Sequence, residues 1–149
     1  MTVITSGLPA PAVPGVDLAE GPRALLFYKV TCPVCQLAAP IAERLEAAYP
    51  ETVAGIGQDP PAKLGEFAAD YGWSFDSTPD LPPYDVSNAY GIRVVPTVVI
   101  VRDGTVDEVV ESWDREGWEG LSSRLSELTG LPTATIVEEA DGLPAFRPG

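Results

Sequence analysis

Apolar and polar positions follow one another along this chain with two different periods. Residues 24–28 (Ala-Leu-Leu-Phe-Tyr) are continuously apolar, with Gly21 and Pro22 before them and Thr31, Cys32 and Pro33 after, which predicts a strand buried on both faces. From Pro33 the period changes. Val34, Leu37, Ala38, Ile41, Leu45 and Ala48 recur at three- and four-residue steps, predicting a helix with a tolerated first-turn proline and a kink at Pro40. Residues 53–56 predict a weaker second strand. Gln58, Asp59, Pro60 and Pro61 then read as the N-cap and first turn of a helix carrying Leu64, Phe67, Ala68 and Tyr71 on one face and closed by Gly72.

The stretch 73–86, with Pro79, Pro82 and Pro83, predicts a long loop holding a short strand at Ser74 and Phe75, followed by a helical turn over 87–90 that ends at Gly91. The β-branched run 97–101 lies between Pro96 and the hairpin signal Asp103-Gly104, and 105–112 is its return strand. Asp114 is placed to cap a last helix with Trp118, Leu121, Leu125 and Leu128 on one stripe, ending before Gly130. The flanks differ in composition. Residues 1–21 carry Pro9, Pro11 and Pro14 among small residues and predict an extended arm over a sheet edge, whereas 131–149 return to proline and glycine and read as a tail. One domain over 22–130 is expected between them.

A length of 149 residues suits one domain, and 45% hydrophobic with 21% charged residues is enough apolar material for a core. Nine basic residues against 22 acidic ones give a net charge of −13, so phosphate backbones and anionic lipids are repelled; neither nucleic acid nor membrane is an expected partner. The start of the chain, polar by Gly7, lacks a secretory pattern, and the apolar runs 24–28 and 94–101 fall far short of the roughly 20 residues a spanning helix needs. A soluble cytoplasmic protein is expected. The absence of histidine removes Ser-His-Asp and Cys-His nucleophiles, HExxH zinc sites and haem on a proximal imidazole.

What remains is one pair of thiols, Cys32 and Cys35, spaced CPVC where a buried strand becomes a helix. A structural zinc site would need two more thiolates or imidazoles, which this chain lacks, so no metal and no cofactor is expected. Unpaired amide N–H groups and the helix dipole favour negative charge at that end, which points to Cys32 as the nucleophilic thiolate. The second sulfur lies within one helical turn. Cys35 is therefore the candidate to resolve a mixed disulfide and leave a Cys32–Cys35 disulfide, the chemistry of dithiol–disulfide exchange.

The order of strand, CPVC helix start, Pro40 within that helix, Val95-Pro96-Thr97 before a β-branched strand, Asp-Gly hairpin and closing amphipathic helix resembles the thioredoxin superfamily over about residues 22–130. The Pro-rich arm, the helix from Gln58 to Gly72, and Ala89 to Ile92 before Val95 resemble its redoxin branch, the TlpA-like and peroxiredoxin-like proteins. The resemblance implies an α/β fold, a three-layer α/β/α sandwich about a central mixed sheet. It also implies that Pro96 is a cis-proline facing the cysteines and that Val95 and Pro96 line the substrate groove. A disulfide-containing protein or small thiol is the implied substrate, a reductase or thiol reductant the implied electron source, and a monomer the expected state.

Several positions depart from the family pattern. The flanking tryptophan and Gly-Pro of WCGPC are replaced by Thr31 and Pro33-Val34, and Leu26 stands where thioredoxin carries a buried acid. Asp59, Asp85 and Glu66 are the candidate substitutes, each with a solvated or capping role as its competing account, and Lys29 is a candidate to favour the thiolate by charge. Two other functions compete. A peroxiredoxin-like thiol peroxidase would carry a Pro-xxx-Thr-xx-Cys motif, but Leu25 and Lys29 occupy its proline and threonine places. A non-catalytic thioredoxin-like binding module would use loop 73–86 and present Trp73, Trp113 or Trp118 as anchors, against the default that tryptophans are packed inside.

Overall fold

In the computed structural model, which describes residues 2–149, a five-stranded mixed sheet runs through the middle of the molecule in the order β3-β2-β1-β4-β5. Its centre is β1 (Pro22–Tyr28), whose residues from Ala24 onward are fully buried. It pairs in parallel with β2 (Val53–Gly57) and antiparallel with β4 (Thr97–Arg102). The outer strands are β3 (Ser77–Pro79), parallel to β2, and β5 (Thr105–Glu111), antiparallel to β4 through a turn in which Asp103 and Gly104 both take positive φ. That left-handed pair is why Asp-Gly signals a tight hairpin.

Successive β1 side chains enter two separate cores because a strand alternates its faces. Ala24, Leu26 and Tyr28 join the larger one, built with α1 (Pro33–Ala48), α2 (Pro61–Tyr71) and α4 (Arg115–Thr129). Leu25 and Phe27 join the smaller one, covered by α3 (Asp85–Ala89) and by Val13 and Leu18 of the N-terminal arm. Burial of a leucine or phenylalanine side chain such as Leu25, Leu26 or Phe27 contributes about 1.5–3 kcal/mol. The arm lies along the outer strand: Gly7 N–H donates to Val106 O, Val106 N–H to Leu8 O and Ala10 N–H to Gly104 O. Among the described residues, no helix is long and apolar enough to cross a membrane.

Three local expectations change. The short strand lies at Ser77–Pro79 and not at Ser74 and Phe75, because the ladder to Gly55–Gly57 fixes its register and Phe75 is buried in the larger core instead. Helix α2 has Pro60 as N-cap with no side-chain cap bond, so Asp59 does not cap it. Residues 131–149 pack back onto the domain: Ile136 and Val137 are buried, Ser122 Oγ donates to Ala134 O, and Arg44 forms a two-pronged pair with Asp141. Beyond it, β7 (Phe146–Arg147) pairs antiparallel with β6 (Trp113–Asp114).

The turn from α1 into β2 depends on one carboxylate. Glu46, 8% exposed, accepts from the backbone N–H groups of Glu51, Thr52 and Val53 at 2.7, 3.1 and 2.8 Å. Removing it orphans three donors next to the central sheet. The Glu46→Ala substitution is expected to destabilise the protein by about 2–4 kcal/mol in urea unfolding, and Glu46→Gln, which keeps one acceptor oxygen, by less.

Candidate functional site

Chain direction brings the site together. Strand β1 ends at Tyr28 and delivers residues 29–31 to a turn in which Cys32 N–H donates to Lys29 O at 3.1 Å. The turn is braced from three directions. Gln58 N–H donates to Tyr28 O (3.1 Å), Val30 N–H to Asp59 Oδ2 (2.9 Å), and Gln36 Nε2 to Val30 O (2.9 Å). Cys32 is then the N-cap of α1, in extended conformation, and its Sγ accepts from Cys35 N–H at 3.3 Å. Pro33 fits the first helical position because it has no N–H to leave unpaired.

The two thiols are unlike. Both are free, but Cys32 is half-buried while Cys35 is 3% exposed behind it. Burial pushes the Cys35 thiol far above the ordinary range, with the Cys32 sulfur and the Asp59 charge adding to the effect and a backbone contact from Lys29 opposing it. Tyr28, whose hydroxyl donates to Ser77 Oγ at 2.7 Å, is likewise pushed up to about 12 by burial.

Opposite the pair stands the segment before β4. The Val95–Pro96 peptide bond is cis, and Cys32 Sγ donates to Val95 O across 3.5 Å. Thr97 Oγ1 donates to Val94 O (2.8 Å) and Ser112 N–H to Pro96 O (2.7 Å), so the bend is held at both ends. The antiparallel register explains the meeting: Phe27 lies opposite Thr97, so the end of β1 and the start of β4 share one end of the sheet.

Of the three candidate carboxylates, only Asp59 joins this group. Glu66 is exposed and pairs with Lys63 at 3.7 Å, and Asp85 is exposed at the first turn of α3. A signal for Asp59 was present in the two prolines after it, which offer its carboxylate no N–H and leave it free to turn back to Val30. Lys29 takes part through its backbone. The tryptophans are not surface anchors: Trp113 and Trp118 are fully buried, and half-buried Trp73 packs with Tyr28, Phe67 and Phe75. Ser112, which braces Pro96, is expected from the sequence only as the end of the return strand; it adopts φ 67 where β5 gives way to β6, and no motif marks its place at the site. Among the described residues, no three His, Cys, Asp or Glu side chains gather in a way that could hold a metal ion.

No family model matches the chain, and no curated protein matches it. Solved structures do. A secreted Mycobacterium tuberculosis disulfide oxidoreductase homologous to E. coli DsbE is 25% identical, with 74% of this chain and 84% of that one covered at a TM-score of 0.63. MTB dsbF, solved in mixed oxidized and reduced forms, is 28% identical over 74% of this chain and 82% of its own, with a TM-score of 0.62. A Chlorobium tepidum protein described as a thiol:disulfide interchange protein DsbE aligns at a TM-score of 0.73 over 84% and 98% of the two chains at 22% identity, a likeness of fold.

The raised Cys35 thiol has a measurable sign. Its stabilising contribution is complete below the unfolded thiol value, about 8.5, and is lost as pH rises above that toward the folded value. The urea midpoint of the reduced protein is therefore expected to fall between about pH 9 and 10, and Cys35→Ala is expected to flatten that fall. In a Cys32→Ser background, Asp59→Asn is expected to move Cys35 alkylation to lower pH.

Proposed function

We propose that this chain, a thioredoxin-superfamily protein of the redoxin branch, is a thiol–disulfide oxidoreductase that works through Cys32 and Cys35. The observation that carries the reading is the asymmetry of the pair: one sulfur is reachable at a helix start and faces Val95 O, while the other is buried behind it. Cys32 thiolate attacks one sulfur of a substrate disulfide, forming a mixed disulfide and expelling the other sulfur as thiolate. Cys35 then loses its proton to the departing thiolate and attacks Cys32 Sγ, releasing the second substrate sulfur as a thiolate that takes its proton from water. Two electrons pass to the substrate, and an external dithiol or thiol reductant restores the pair.

The environment of Cys35 supports this order. An anionic Cys32 is among the causes holding the Cys35 proton, and that charge disappears once Cys32 is bound in the mixed disulfide, so Cys35 ionises more easily at the step that needs it. Val95 and Pro96 form the groove floor in this reading, with the Val95 backbone available to an extended segment around the substrate disulfide. In the reducing cytoplasm expected from the sequence, the pair would act as a reductant of disulfide-containing proteins or small disulfides.

Trapping distinguishes the roles. With a disulfide-bonded polypeptide, Cys35→Ser is expected to accumulate an adduct through Cys32 that mass spectrometry detects, and Cys32→Ser to form none. The wild-type protein is expected to equilibrate between dithiol and Cys32–Cys35 disulfide in graded glutathione buffers. If that disulfide never forms in the folded protein, the assignment fails.

A further inference from the structure

The end of the described chain lies on the groove that the proposed reaction uses. From Leu143, half-buried against the larger core, residues 144–149 run extended beside β6 toward Val95. Trp113 Nε1 donates to Pro144 O (2.8 Å), Arg115 N–H donates to Ala145 O (2.9 Å), Asp114 and Trp113 lie opposite Phe146 and Arg147, and Gly149 N–H donates to Ser112 Oγ (3.1 Å). Gly149 touches the groove floor itself: a Cβ there would stand 2.1 Å from Val95 O and 2.8 Å from Val95 C. Val95 O is also the atom that Cys32 Sγ faces at 3.5 Å.

The way this segment is held resembles a bound peptide more than a packed element of the domain. Phe146 is 57% exposed and Arg147 is exposed too, so its attachment beyond Pro144 comes mainly from main-chain hydrogen bonds, as when a strand is added to a sheet edge. A segment with little buried apolar surface and solvent-accessible backbone bonds opens at low cost.

We infer that residues 145–149 are a removable strap that occupies the polypeptide subsite beside Val95, so that they determine which disulfides reach Cys32. This rests on the exchange reading above. A disulfide within an extended polypeptide must displace the strap before its backbone meets Val95. A small disulfide needs only the half-buried sulfur and reacts with the strap in place. Ser112 links the two surfaces, since its N–H holds Pro96 O while its hydroxyl holds Gly149.

The test compares two oxidants on the full-length protein and on two variants. One variant ends after Pro144, which keeps the partner of Trp113 Nε1; the other is Gly149→Val, whose side chain cannot fit against Val95 O and changes nothing in the core. The oxidants are insulin, as polypeptide disulfide, and dithiobis(nitrobenzoate), as small disulfide. If the groove is open one-tenth of the time, apparent affinity for a segment that needs it is lowered about tenfold, so both variants are expected to reduce insulin several-fold faster at sub-saturating concentration. Their rates with the small disulfide are expected to match the full-length protein. Insulin rates that are unchanged or slower in both variants, or equal acceleration with both oxidants, would overturn the strap. Failure of the full-length protein and both variants to reduce either oxidant would instead remove the exchange reading, and the strap with it.

Discussion

The antiparallel register between β1 and β4 is the constraint on which the rest of the site depends. The two strands are far apart in the sequence, and Cys32 and Pro96 are separated by more than 60 positions. Pairing Phe27 with Thr97 brings the exit of one strand beside the entry of the other. Everything chemical is then a matter of what the chain does at that one end of the sheet. β1 continues into a capped helix, which points the Cys35 N–H at a sulfur, while β4 is preceded by a bend whose carbonyl faces the same sulfur. Because β1 is buried on both faces and paired on both edges, the register cannot slip without moving a full set of core side chains to the wrong layer.

A second consequence of this arrangement concerns charge. The proposed exchange needs some control over when the buried thiol ionises, and the sequence resemblance to thioredoxin puts Leu26 where that family carries an acid. Asp59 brings a carboxylate to the same neighbourhood from the other side, from the end of β2, through its bond to Val30. Asp59 holds the turn that positions Cys32 and its charge also reaches Cys35, so an electrostatic and a structural role are joined in one side chain.

Much of this was legible in the chain itself, for identifiable reasons. β1, α1, the Asp103-Gly104 hairpin and α4 with its Asp114 cap each carry a local pattern of period, cap or turn that does not depend on distant residues. Contacts made across sequence were not legible in the same way. β3 falls at Ser77 because Gly55–Gly57 sets the ladder, and Asp59 reads as a cap until its carboxylate is seen turned toward Val30. The packing of 131–149 had a faint signal in the adjacent apolar Ile136 and Val137, which a solvated tail has no reason to carry, but nothing in their neighbours said where they would be buried. The likeness to solved structures is of the same kind: it lies in the arrangement of elements more than in residue identities.

The N-terminal arm has a meaning beyond covering apolar surface. In the proposed exchange, a mixed disulfide would keep an extended substrate polypeptide close to the protein's own backbone for the lifetime of each adduct. Any unpaired sheet edge nearby would be an invitation to zip that chain on as an extra strand, and so to turn a transient adduct into an aggregate. Gly7, Leu8 and Ala10 take up hydrogen-bonding positions along β5, and the opposite edge is a strand of only three residues that ends in Pro79. With both flanks blunted, a chain held through Cys32 in the proposed mixed disulfide would find no open sheet edge beside it.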